Sequence, residues 1–178
     1  MSLINVTLPD GTVNEYAAGI TCAEVITDAL GRKHGCLAAR IDGEECDLSR
    51  TIENDCSVEG ILTESDEGMY ILRHSAAHLL AQAVTSIYPD AKPTIGPPVD
   101  RGFYYDFAMD SITESDLKPI QKKMQELARK NFTVERIELD DLELQEHFAH
   151  NPYKLEIIQD KIEDGSGSTI YKQDDWYD

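Results

Sequence analysis

The sequence predicts an α+β protein in two parts: a small β-rich unit over residues 1–62 and a mixed α and β domain over residues 69–178, joined by a polar connection at 63–68. Three observations carry this reading. Alternating stretches bounded by turn signals fill the first sixty residues around one capped helix. A long apolar run, 69–88, has helical rather than strand periodicity. Beyond it, aromatic and alternating stretches are interleaved with further helical patterns.

In the first unit, residues 3–8 alternate and meet the turn Pro9-Asp10-Gly11, after which 12–16 returns as the second strand of a hairpin. Thr21-Cys22-Ala23-Glu24 is a capping box, with a hydroxyl at the cap and a carboxylate three residues on. It opens a helix to Leu30 with Ala23, Val25, Ile26 and Ala29 on its apolar side. Gly31 and Gly35 break that helix. Residues 36–41 form a strand, Asp42-Gly43 a tight turn and 44–48 the return. Residues 51–55 read as a polar link, and 56–62 as a last strand with Val58, Gly60 and Leu62 on one side. The order β-β-α-β-β-β is that of the β-grasp, or ubiquitin-like, fold.

The run 69–88 reads as one helix, capped by Ser65 or Asp66 and stopped by Pro89. Leu72, Ala76, Leu79, Ala83 and Ile87 recur at three- and four-residue steps as a buried stripe. At about 100° per residue, His74, His78, Ala81 and Thr85 share the opposite face. Two imidazoles one turn apart have three readings: a hydrogen-bonded surface pair, a metal pair, or a pair handling protons and water in a hydrolytic site. Ser75 stands where the HExxH motif needs its general-base Glu, which excludes a zinc protease of that type.

Residues 103–107 read as a strand with Phe103, Tyr105 and Phe107 on a core face and Tyr104 and Asp106 on the other. A helix follows from Ser115 or Asp116 to Asn131, its start set by Pro119 in the first turn. Leu117, Ile120, Met124, Leu127 and Ala128 form its buried side. Lys118, Lys122, Gln125 and Arg129 form a basic side that suits either solvent or an RNA backbone. Residues 132–139 alternate as a strand and 142–149 form a short helix. Asn151-Pro152-Tyr153-Lys154 is a turn before the helix 155–162. Residues 165–168 form a Gly/Ser joint, and 169–172 a strand. His147 and His150 are the residues that would complete a four-histidine metal site with His74 and His78, the basis of an alternative metal-dependent hydrolase. Trp176 and Tyr177 close the sequence where bulky aromatics call for cover, so the chain is expected to be part of a longer protein.

The 178 residues carry 41% apolar residues, enough for a packed core, and no run of 18 apolar residues. With no signal-peptide pattern at the start, a cytoplasmic location is the expectation. The net charge of −18, from 16 basic against 34 acidic residues, disfavours non-specific nucleic-acid binding. Cys22, Cys36, Cys46 and Cys56 show no CxxC spacing and read as small buried hydrophobes rather than disulfides.

Leu8-Pro9-Asp10-Gly11, the capped helix, and Ala39-Arg40-Ile41-Asp42-Gly43-Glu44 together resemble the TGS domain, a module of threonyl-tRNA synthetases, some GTPases and stringent-response enzymes. With Arg73-His74-Ser75-Ala76-Ala77-His78, with Ile95-Gly96-Pro97 and the later Phe103-Tyr104-Tyr105-Asp106, and with Tyr153-Lys154, the whole chain resembles the amino-terminal region of bacterial-type threonyl-tRNA synthetases. The resemblance implies that the second domain is an editing domain related to that of alanyl-tRNA synthetase, hydrolysing serine misattached to threonine tRNA. One methyl group discriminates by only about 1–3 kcal/mol, and a second hydrolytic site is the general remedy.

By this resemblance, His74 and His78 orient water or the terminal ribose, Lys154 supplies positive charge near the ester, and Asp178 holds the substrate ammonium or the water. Tyr104 and Asp106 shape the pocket wall, and no residue is assigned to a metal. The family carries a Cys-x-x-x-His element soon after the position of Asp178. Without it the editing domain is truncated, and the chain alone is expected to be a weak hydrolase. The implied partner is the acceptor end of threonine tRNA, with no membrane, and with a homodimer only through an aminoacylation core outside this sequence. ATP, magnesium and zinc are implied for that core and no cofactor for this chain. A non-catalytic tRNA-binding or regulatory module is the remaining alternative.

Overall fold

A computed structural model describes residues 2–165 and 169–178. The chain divides into two compact units, Met1–Leu72 and Arg73–Asp178.

The first unit runs β1 (Leu3–Thr7), β2 (Val13–Ala17), β3 (Ile20–Thr21), α1 (Cys22–Leu30), β4 (Cys36–Ile41), β5 (Glu44–Cys46), β6 (Thr51–Ile52) and β7 (Cys56–Leu62). Its main sheet has the order β2-β1-β7-β4-β5, with β1 parallel to β7 and the other neighbours antiparallel. This is the β-grasp arrangement. The hairpin turns where Asp10 accepts from the Thr12 amide at 2.9 Å and Gly11 takes φ +83°. The Thr21–Glu24 capping box forms, with the Thr21 amide donating to Glu24 Oε2 at 2.9 Å. α1 covers one face of the sheet, burying Cys22, Val25 and Ile26 against Ile4, Val6, Ala39 and Val58.

Two sequence readings change here. Thr51–Ile52 is not a polar link: it pairs with Ile20–Thr21, and Ile52 is buried in the core. In β7 the alternation fails at its end, where Ile61 is buried and Leu62 is 48% exposed. The pairing of β7 with β4 is irregular there, with a register shift between Cys36 and Ala38, and such a bulge interrupts the period of two.

α2 (Asp66–Ile87) starts three residues before the expected 69–88 run, and Ser65 Oγ accepts from the Gly68 amide at 3.0 Å at its start. Then follow β8 (Lys92–Pro93), β9 (Pro98–Val99), β10 (Gly102–Phe103), β11 (Phe107–Ala108), α3 (Glu114–Lys130), β12 (Val134–Glu138), α4 (Asp141–His147), α5 (Pro152–Asp164), β13 (Thr169–Gln173) and β14 (Trp176–Tyr177). β9 pairs with β10, β8 with β11, and β12-β13-β14 form an antiparallel sheet.

The burial of α2 differs from the expected stripe. Leu72 is 41% exposed, whereas Ala77, Ala81, Gln82, Ala83 and Val84 are buried. The face that carries the histidines is therefore a packed face. A helix covered on several sides has no single apolar stripe for periodicity to find. α3 begins at Glu114 with Thr113 and Asp116 as a capping box, so Pro119 lies in the second turn rather than the first. Ile120 and Leu127 are buried on α3, but Leu117 and Ala128 are exposed. α5 begins at Pro152, with Asn151 as its cap, so Tyr153 and Lys154 belong to the helix rather than to a turn. The Gly/Ser joint falls on residues 166–168, outside the described residues, apart from Gly165, which caps α5 at φ +72°.

Candidate active site

Four parts of the second unit supply the polar cluster: α2, the segment 103–108, the β13–β14 hairpin and α5. α2 provides His74 and His78. Residues four apart lie one above the other on a helix, and the two Nε2 atoms are 3.1 Å apart with the rings edge to face. Small neighbours on the same helix, Ala77 and Ala81, are fully buried and let Tyr105, Phe103, Phe107 and Trp176 pack close.

The segment 103–108 provides Tyr105, although not as the continuous strand expected. β10 ends at Phe103 and β11 begins at Phe107, with a non-strand step between. The aromatic face is core as expected: Tyr105 and Phe107 stack at 5.0 Å. What the alternation could not show is that the Tyr105 ring is core while its hydroxyl is not. It donates to Asp178 Oδ2 at 2.6 Å and accepts from Lys154 Nζ at 3.1 Å. Gly96 makes room for this ring, since a Cβ there would lie 2.1 Å from a Tyr105 ring carbon. Tyr104, 47% exposed, and Asp106, also exposed, lie on the other side of the segment, so Tyr105 and not they reaches the cluster.

β13 and β14 deliver Asp178. They meet at a two-residue turn in which Asp174 takes φ +58°, and the ladder continues past Tyr177 with Tyr171 N donating to Asp178 O at 2.7 Å and Asp178 N to Tyr171 O at 3.0 Å. Period two then puts Trp176 and Asp178 on one face and Tyr177 on the other. Trp176 stands 6.0 Å from the His78 ring, while Tyr177 packs against His147 at 4.6 Å. α5 supplies Lys154, whose ammonium pairs with Asp178 Oδ1.

The structure thus brings His74, His78, Lys154 and Asp178 together with Tyr105. The Asp178 side chain is 4% exposed, Lys154 15% and His78 18%, and His78 Nε2 is 3.8 Å from Asp178 Oδ2. Burial holds the His78 imidazole well below its usual range, at about 4; Asp178 opposes that shift, and His74 and Lys154 add to it. His78 is therefore neutral at pH 7. Burial, and then the Asp178 carboxylate, push the Tyr105 phenol up, so it remains a donor.

His147 and His150 do not join this cluster. Both pack on Phe148, and His147 also on Tyr177. Among the described residues no group of three or more His, Cys, Asp or Glu is arranged to hold a metal ion. Two imidazoles alone do not complete a four-coordinate site, so the four-histidine arrangement is not formed. The four cysteines are free thiols, with Cys22 and Cys36 buried.

Asn151 is the residue that sequence reasoning passed over. Its neighbours suggest a turn, yet an Asn followed by Pro is a cap followed by a first-turn proline. It is 2% exposed.

No helix among the described residues is long and apolar enough to cross a membrane. Residues 4–63 match the TGS domain. Over 99% of its length the chain is 41% identical to a threonine–tRNA ligase of Streptococcus suis and 39% identical to those of several Streptococcus pneumoniae strains; it spans 28% of the length of these relatives. Residues 4–63 are therefore a TGS domain, and the chain as a whole is homologous to the N-terminal part of threonine–tRNA ligases.

Proposed function

We propose that residues 69–178 form an editing domain, related to that of alanyl-tRNA synthetase, which hydrolyses the ester joining serine to threonine tRNA. The domain limits in this reading are 1–62 for the TGS domain and 63–68 for the connection. The observation that carries it is the convergence of Lys154, Tyr105 and Asp178, from three distant parts of the chain, beside the paired imidazoles of His74 and His78.

In the reaction, a water oxygen attacks the seryl carbonyl carbon, the bond to the terminal ribose oxygen breaks, and a proton ends on that ribose oxygen. An ester is already activated, so positioned water and charge at the developing oxyanion supply most of what is needed. Neutral His78 and its partner His74 orient the water; with a pKa of about 4, His78 is an acceptor rather than a strong base. Asp178 is occupied by Lys154 and Tyr105 before substrate enters. A substrate ammonium takes Asp178 from Lys154 and leaves the Lys154 ammonium free for the oxyanion. No step is assigned to a metal.

The same reading extends to the longer relatives. The parent attaches threonine to its tRNA in the cytoplasm using ATP and magnesium, with zinc in its aminoacylation core, and this chain meets the acceptor end of that tRNA.

Single-turnover deacylation with the chain in excess over serine-charged threonine tRNA tests the proposal. Serine is released faster than threonine, and Lys154→Ala slows release about a hundredfold. Equal release of the two amino acids, or a rate unchanged in Lys154→Ala, overturns it.

A further inference from the structure

The geometry points to Asn151 as a positioning residue that locks the Lys154 ammonium onto Tyr105 and Asp178 by tying the start of α5 to the β8–β11 ladder. The catalytic consequence rests on the proposed ester hydrolysis; the positional claim does not.

A side-chain amide that is 2% exposed must find partners for both its ends, because a buried polar group left unpaired is costly. Asn151 uses both. Its Oδ1 accepts from the amides of Tyr153 at 3.1 Å and Lys154 at 3.4 Å, which caps α5. Its Nδ2 donates to the Pro93 carbonyl at 2.7 Å. Pro93 lies in β8, opposite Phe107 of β11, and Phe107 stacks on Tyr105. One amide therefore joins the turn of helix bearing Lys154 to the ladder that sets the Tyr105 ring.

The choice of Asn over the other capping residues follows from this geometry. Asp and Ser cap as well, through an oxygen. Neither carries an amide N–H₂ to reach the Pro93 carbonyl, and a carboxylate there would oppose that carbonyl with a second acceptor. A cap alone explains an oxygen at this position; the tether explains the nitrogen.

The test uses variants that keep the cap and cut the tether, Asn151→Ser and Asn151→Asp, in the full chain. The readout is the ¹⁵N resonance of the Lys154 ammonium, whose protons exchange slowly while it is held in a part-buried ion pair and fast once it is released to solvent. The expected result is a Lys154 ammonium signal in the parent that disappears in both variants, while the backbone amide signals of α5 and of the β12-β13-β14 sheet persist. Deacylation of the serine ester falls about a hundredfold, as a misplacement of about 1 Å costs, with KM unchanged. Persistence of the ammonium signal in either folded variant overturns the inference. So does unfolding of both variants, which would make Asn151 a fold determinant only. Loss of the ammonium signal with serine release unaffected leaves the tether standing and removes the hydrolytic reading instead.

Discussion

The two units of this chain treat burial in opposite ways. In the TGS unit the buried side chains are all apolar: Ile4, Val6, Val25, Ile26, Ala38, Ala39, Ile52, Val58 and Ile61, with Cys22 and Cys36. Its polar groups stay at the rim, where Asp10 finishes a turn, Thr21 caps α1 and Asp55 accepts from the Asn5 amide of β1. In the second unit the helix floor is alanine, Gln82 and Asn151 are buried, and an ion pair with a phenol between its members is held at low exposure. A buried ion pair seldom repays its desolvation. A fold that keeps one beside small residues has given up stability at the point where its polar groups converge, whereas the TGS unit has spent nothing in that way.

That contrast can be broken or sharpened by measurement. The largest effect is expected for Lys154→Met, which leaves the Asp178 carboxylate buried without its cation. Breaking such a pair costs about 4 kcal/mol, read by urea unfolding with the fluorescence of Trp176, the only tryptophan. Adding Asp178→Asn recovers part of the loss; no recovery would mean that the pair is not the source.

The next effect is on pH dependence. The folded-state pKa of His78 is near 4, below the usual 6.5, so between these values the unfolded chain binds the extra proton. Stability from this group is fully present above pH 6.5 and is lost as pH falls toward 4, by up to about 3 kcal/mol. A His78→Gln variant should lack that part of the slope, and an identical slope would refute the burial argument.

The smallest effect belongs to the TGS unit. Thr21→Ala removes the cap hydroxyl of α1 at a cost of about 1 kcal/mol, visible in amide exchange of residues 22–30 and absent from the Trp176 transition and from serine release.

The same contrast explains what could be read in the sequence. The β-grasp order was legible because it is written locally, in Pro9-Asp10-Gly11, in the Thr21–Glu24 box and in alternating strands. The histidine pair was legible as a spacing on α2. Its surroundings were not, because four consecutive buried residues, 81–84, erase the helical stripe. Tyr105 was assigned to the core from the alternation of its segment, which reports where a ring lies and not where its hydroxyl ends. Lys154 and Asp178 carry no local signal: their partners are 49 and 73 residues away, at Tyr105, and only family resemblance singled them out. The turn reading of residues 151–154 puts the helix start three residues late, because Asn151 followed by Pro152 is a cap and a first-turn proline.

The turn at Asp174 has a consequence for how this site can vary. Because β14 alternates its faces, the two residues between Gln173 and Trp176 act as a phase setting. One residue inserted there would rotate Trp176, Tyr177 and Asp178 together, trading the carboxylate for a phenol at the imidazoles without altering a single amino acid around them. Length at this hairpin is therefore as much a determinant of what faces the imidazoles as the identity of Asp178 itself.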